Sequence, residues 1–169
     1  MATIGPATTG TVSDITARIR RRDAGADGER LASGAARGVI GAMSMTGART
    51  LAAELGLLDT GTPPESVAGQ GLPQLMRPVP PRWRPAAVDV LHLLYGAGGG
   101  AAFGLLPSRW RRRWYSGPLF GLLLWLGYIT GIAPLLGLHV ERKRDLREWA
   151  VLAADHVLYG LVVSRLGNR

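Results

Sequence analysis

A chain of 169 residues with no cysteine and a net charge of +8 is long enough for one domain, and it excludes a disulfide framework, a thiol nucleophile and a thiolate metal site. A hydrophobic fraction of 47% does not separate a water-soluble protein from a membrane protein, but the placement of charge does: residues 116–140 contain no Asp, Glu, Lys or Arg. That run exceeds the roughly 20 apolar residues needed to cross a bilayer.

The basic balance invites a nucleic-acid reading, because clustered arginine neutralises phosphate. Arginine beside apolar segments equally retains loops on the cytoplasmic side. The expected partner is therefore the lipid bilayer, with a homo-oligomer or another membrane protein as a further partner, and not nucleic acid. The first thirty residues hold Arg18, Arg20, Arg21 and Arg22 with no apolar stretch before them. Targeting is then expected to rest on the transmembrane helices themselves.

Residues 1–30 read as a flexible basic cytoplasmic tail, with a short basic helix over Ser13–Arg22. The remainder, 31–169, reads as an all-α integral membrane bundle of four transmembrane helices. The first span, about 31–58, is interrupted by Arg37, Arg49 and Glu54. Arg37 can snorkel to the inner surface, whereas Arg49 sits in the outer half and needs a partner. Glu54 is five positions away, beyond helical pairing distance, so that partner is expected on another helix.

A proline-rich connection follows from Asp59 to Pro85. Its start, Thr62-Pro63-Pro64-Glu65, has the form of a capping box with proline in the first turn and predicts a short interfacial helix. The later prolines predict extended chain up to Arg84. The second span, about 86–106, carries Gly96, Gly100 and Gly104 on one helical face, where another helix can approach closely. The same spacing recurs at Gly34 and Gly38, at Gly117 and Gly121, and at Gly127 and Gly131, which predicts a compact bundle.

Between the second and third spans, Pro107-Ser108-Arg109-Trp110-Arg111-Arg112-Arg113-Trp114-Tyr115 reads as a tight cytoplasmic turn with aromatic residues at headgroup level. The third span, about 117–138, contains Pro134, which predicts a kink near its outer end. A mixed-charge loop over Glu141–Glu148 leads to the fourth span, about 149–166. The tail with Arg37, the Arg109–Arg113 turn and the C-terminus hold 12 basic residues against 7 in the other two loops, which places both termini in the cytoplasm.

The second and fourth spans share a pattern, His92-Leu93-Leu94-Tyr95-Gly96 and His156-Val157-Leu158-Tyr159-Gly160. Both helices run in the same direction, so the two hairpins suggest a parallel internal repeat. Ionisable groups at membrane depth are costly unless they face protein or water. Asp89, His92, Tyr95, Asp155, His156, Tyr159 and Arg49 are accordingly expected to point into the bundle as a polar cluster. The cluster fits interhelical hydrogen bonds that fix register, or else proton or small-solute handling in a small transporter or channel. No cofactor is expected; haem b or a metal ion held by His92 and His156 is the alternative. No phosphate loop, nucleophile elbow or paired-carboxylate arrangement occurs, and the chain is not expected to be an enzyme.

The order of these elements resembles a family of small bacterial inner-membrane proteins of the YagU-like, unknown-function class. The elements are Leu55–Leu57 closing the first helix, Pro63–Glu65, His92–Gly96, Gly131–Pro134 and His156–Gly160. The resemblance covers roughly 34–166 and implies a four-helix inner-membrane fold in bacteria, with a link to stress or acid tolerance and no activity to carry over.

Overall fold

The structure, a computed structural model, describes residues 12–57, 78–135 and 145–165. These residues are mostly helical, with no strand among them. The helix expected from Thr62 lies outside the described residues, as do 136–144, which hold the expected end of the third span and the first part of the loop expected over Glu141–Glu148.

Helix α1 runs from Val12 to Glu54, a single element of 43 residues. It replaces the expected separation of a flexible tail from a span beginning at residue 31. The reason is local: no proline lies between Val12 and Glu54, and the segment is rich in alanine and arginine, both strong helix formers. Gly56 ends it in the left-handed region at φ +67°. There Gly56 N–H donates to the Ala53 carbonyl and Leu57 N–H to the Ala52 carbonyl, each at 2.9 Å, the two bonds of a Schellman cap.

Where extended chain is expected up to Arg84, Pro81–Trp83 instead form a 3-10 turn that leads into α2, Arg84–Leu105. Pro85 sits in the first turn of α2, where its missing N–H costs nothing. A short helix α3, Ser108–Arg111, makes the turn into α4, Ser116–Gly127. A π-turn over Tyr128–Ile132 then leads into a last helical piece, α5, Ala133–Leu135. Pro134 stands just past that wider turn. In a regular α-helix its ring would clash with the carbonyl four residues earlier, that of Thr130, and a wider turn there makes room for it. Finally α6 spans Leu146–Arg165, starting three residues before the expected boundary because the Asp145 carboxylate accepts the Leu146 N–H at 2.6 Å.

The central pair is α1 and α6; α2 lies along α1, and α4 lies along α6. Each flanking contact is a glycine seam. A Cβ on Gly100 would come within 2.7 Å of the Gly38 backbone, and one on Gly117 within 2.7 Å of the Ser164 side chain. Gly34 and Gly104 extend the first seam, and Gly121 and Gly160 the second. In each seam the glycine of the repeated His-x-x-Tyr-Gly pattern meets the opposite hairpin helix, Gly96 against Gly38 and Gly160 against Gly117. Between the seams lies a core of Met45, Phe103, Tyr159 and Val163, with Leu106, Phe120 and Leu124 against it. Phe103 and Phe120 meet edge to face at 5.2 Å.

Two helical segments, Pro81–Leu105 and Ser116–Leu135, are long and apolar enough to cross a membrane. Helices α1 and α6 do not reach that composition, because Arg37, Arg49 and Glu54 interrupt the one and Glu148, Asp155 and Arg165 the other.

Candidate functional site

Helices α1 and α6 pack face to face, with the Tyr159 ring of α6 seated against Gly41 of α1, and that contact assembles the polar cluster. Arg49 of α1 and Asp155 of α6, each only 4% exposed, form an ion pair with 3.3 Å between Nε and Oδ2. The partner that Arg49 requires is thus on another helix, as its position in the sequence demands.

The pair is incompletely hydrogen bonded. Nε of Arg49 has one hydrogen, and it points to the Met45 carbonyl of its own helix at 3.4 Å. Neither Oδ1 nor Oδ2 of Asp155, both fully buried, accepts a hydrogen bond among the described residues. A buried carboxylate in that condition forfeits its hydration without full replacement.

His92 of α2 adds a second tension. Its Nε2 lies 3.0 Å from a terminal nitrogen of Arg49 and 3.3 Å from the Ala42 carbonyl. Arginine only donates and a carbonyl only accepts, so a single ring nitrogen satisfies one of them at a time. With the proton on Nδ1, Nε2 accepts from Arg49; with the proton on Nε2, it donates to Ala42.

His156 is held differently. Its Nδ1 donates to the Leu152 carbonyl at 2.8 Å, and its ring lies against Trp125 at 5.8 Å. Trp125 in turn meets Trp149 at 5.6 Å. Tyr159 is 1% exposed and donates to the Gly96 carbonyl at 2.6 Å, crossing from α6 to α2. Tyr95 donates to the Leu124 carbonyl at 3.3 Å and meets Tyr128, in the π-turn, edge to face at 6.5 Å.

Six of the seven residues expected in the cluster are thus turned inward, wholly or in part. Asp89 is not: it stands exposed at the start of α2. Val88 takes the buried position one turn before His92, and a one-residue step of about 100° turns Asp89 outward. Of the glycines expected in helix packing, Gly34, Gly38, Gly96, Gly100, Gly104, Gly117 and Gly121 lie in seams. Gly127 and Gly131 do not. Both are exposed, with nothing near enough to touch an added Cβ.

Gly41 and Gly99 are packing positions that the four-residue spacing did not reveal. Together they form the slot for Tyr159: a Cβ on either would lie 2.7 Å from the tyrosine ring or its hydroxyl. The signal in the sequence was the run Gly98-Gly99-Gly100, which offers small residues on more than one face of α2.

No group of three or more metal-ligating side chains occurs among the described residues. Nε2 of His92 faces the Arg49 guanidinium, whose positive charge opposes a cation there. Comparison with family models finds no match, and neither the curated proteins nor the solved structures show significant similarity.

Proposed function

We propose that the chain is a four-span protein of the bacterial inner membrane, with both termini cytoplasmic, that serves a structural or partner-binding role through helix packing. One observation carries this reading: charged side chains are buried while large apolar side chains stand exposed. Arg49 and Asp155 are buried, while Leu94, Leu123, Leu126 and Leu135 are 61%, 59%, 52% and 86% exposed. Only 11% of the most apolar stretch of Ser116–Leu135 is buried. In water such a surface drives association, whereas in hydrocarbon it is the stable arrangement.

The same inversion explains why α1 and α6 fall short in apolar composition. Arg49 of the one and Asp155 of the other face each other inside the bundle, so these two charges need not face lipid. The likeness to the YagU-like family rests on the motifs quoted above and agrees with this placement. The open Gly127 and Gly131 face, beside exposed Leu123 and Leu126, is where a further helix would fit.

The absence of native cysteine makes the test direct. Single cysteines at Ser108 and at Asp145 should react with impermeant maleimide from opposite sides of inverted and right-side-out vesicles. Recovery of the protein in the supernatant without detergent, or labelling of both positions from one side, contradicts the reading.

A second reading, a small transporter or proton-linked channel, draws on a separate observation, the buried Asp155 oxygens without hydrogen bonds. A carboxylate left in this state beside Arg49 is equipped to take a proton or a hydrogen-bond donor in passage. Purified protein in proteoliposomes should then show a pH-driven flux that Asp155→Asn abolishes while the fold persists. Absence of any flux in the unaltered protein removes this reading.

A further inference from the structure

The turn from α2 to α4 divides its four arginines into two that build the fold and two that do not. Arg111 donates from Nε to the Leu106 carbonyl at 3.0 Å, closing the C-terminal end of α2. Arg113 donates to the Tyr115 hydroxyl at 2.6 Å and lies over the Trp110 and Tyr115 rings at 5.7 and 5.8 Å. Its carbonyl accepts from Ser116 Oγ at 2.7 Å, which ties the turn to the first residue of α4. The turn is therefore stiff.

The side chains of Arg109 and Arg112 are exposed and make no hydrogen bond or ion pair among the described residues. They stand three positions apart at the helical α3 turn, so their side chains leave the same face. No carboxylate occurs anywhere in Pro107–Tyr115 to neutralise them. Trp110 and Trp114 flank them, 48% and 79% exposed. An indole this exposed is unfavourable in water and well placed where one end meets hydrocarbon and the other meets headgroups.

We propose that this turn is a binding site for anionic phospholipid, in which Arg109 and Arg112 hold the phosphodiester and Trp110 and Trp114 seat at the headgroup boundary. The proposal rests on the membrane placement argued above. Charge complementarity selects the ligand: two adjacent guanidinium groups form forked donor pairs with phosphate oxygens. A single-stranded nucleic acid would need a groove that follows its backbone, and nine residues pinned at both ends by membrane helices do not supply one.

The test uses the full chain in nanodiscs of phosphatidylcholine, alone or mixed with phosphatidylglycerol, followed by counting of co-released lipid in native mass spectrometry. Phosphatidylglycerol should be enriched around the protein. Arg109→Gln and Arg112→Gln should each lower that enrichment by about fivefold, whereas Arg30→Gln, whose guanidinium already pairs with Asp27 at 3.0 Å, should leave it unchanged. Equal retention of the two lipids, or enrichment indifferent to the arginine variants, overturns the proposal. So does displacement of the lipid by glycerol phosphate or a short RNA. A protein that never enters the nanodisc defeats the membrane placement as well, whereas one that inserts without lipid preference defeats the lipid site alone.

Discussion

Arg49 in the first helix and Asp155 in the last stand 3.3 Å apart with almost no exposure, and this contact joins the two hairpins. Removing one partner leaves the other charge buried and uncompensated. Arg49→Met or Asp155→Leu alone should destabilise the protein by about 3–5 kcal/mol, while the double replacement should recover most of the loss. Thermal unfolding in detergent, arranged as a double-mutant cycle, measures the difference. Additive losses in the double variant would show that the two groups do not interact.

The glycine seams predict a sharp contrast between neighbouring positions. Gly100→Leu drives a side chain into the Gly34 and Gly38 backbone, which has no freedom to yield, and should cost 1–3 kcal/mol or more (roughly, from overpacking) or prevent folding. Gly98→Leu, two residues away and facing open space, should be tolerated. Equal behaviour of the two variants in a stability assay would argue against the seam.

Tyr159 separates packing from hydrogen bonding. Tyr159→Phe keeps the ring between Gly41 and Gly99 but loses the bond to the Gly96 carbonyl, at a cost of about 0.6–1.7 kcal/mol. Tyr159→Ala empties the slot and should cost about 3–5 kcal/mol. A near-equal loss in both variants would mean that the hydroxyl, rather than the ring, holds α6 to α2.

The end of α1 provides a backbone test with opposite signs. Gly56→Ala forces a side chain into the left-handed region and should destabilise by about 1–2 kcal/mol. Gly47→Ala, in the interior of α1 with nothing near it, should stabilise by about 0.5–1 kcal/mol. Hydrogen exchange of the last turn of α1 reads the first effect locally.

Much of this architecture was legible because membrane-like helices advertise themselves by composition. The apolar run after Ser116 and the four-residue glycine spacing located α2, α4 and their seams. The demand of Arg49 for a distant partner followed from the cost of a charge in an apolar segment. The identity of that partner was not legible, since Asp155 and His156 are adjacent in sequence and only the rotation of α6 decides which one faces α1. Asp89 was misplaced for a related reason: Val88 is the better apolar match to the inward face, and a one-position change turns a side chain outward. The short basic helix over Ser13–Arg22 was legible, but its continuity with the first span was hidden because polar, charged sequence carries no apolar periodicity, even when its residues favour a helix.

The length of α1 has a mechanical consequence. At about 1.5 Å per residue its 43 residues reach roughly 65 Å, about twice the thickness of bilayer hydrocarbon. The part before Arg30, whose carbonyl abuts Gly104 at the end of α2, is a rigid arm of about 27 Å fixed to the same rod that carries Arg49. A tilt of the rod by about ten degrees sweeps the arm's tip through nearly 5 Å, on the order of one turn of helix. Force applied at the tip and geometry at the buried ion pair are therefore two readings of one lever.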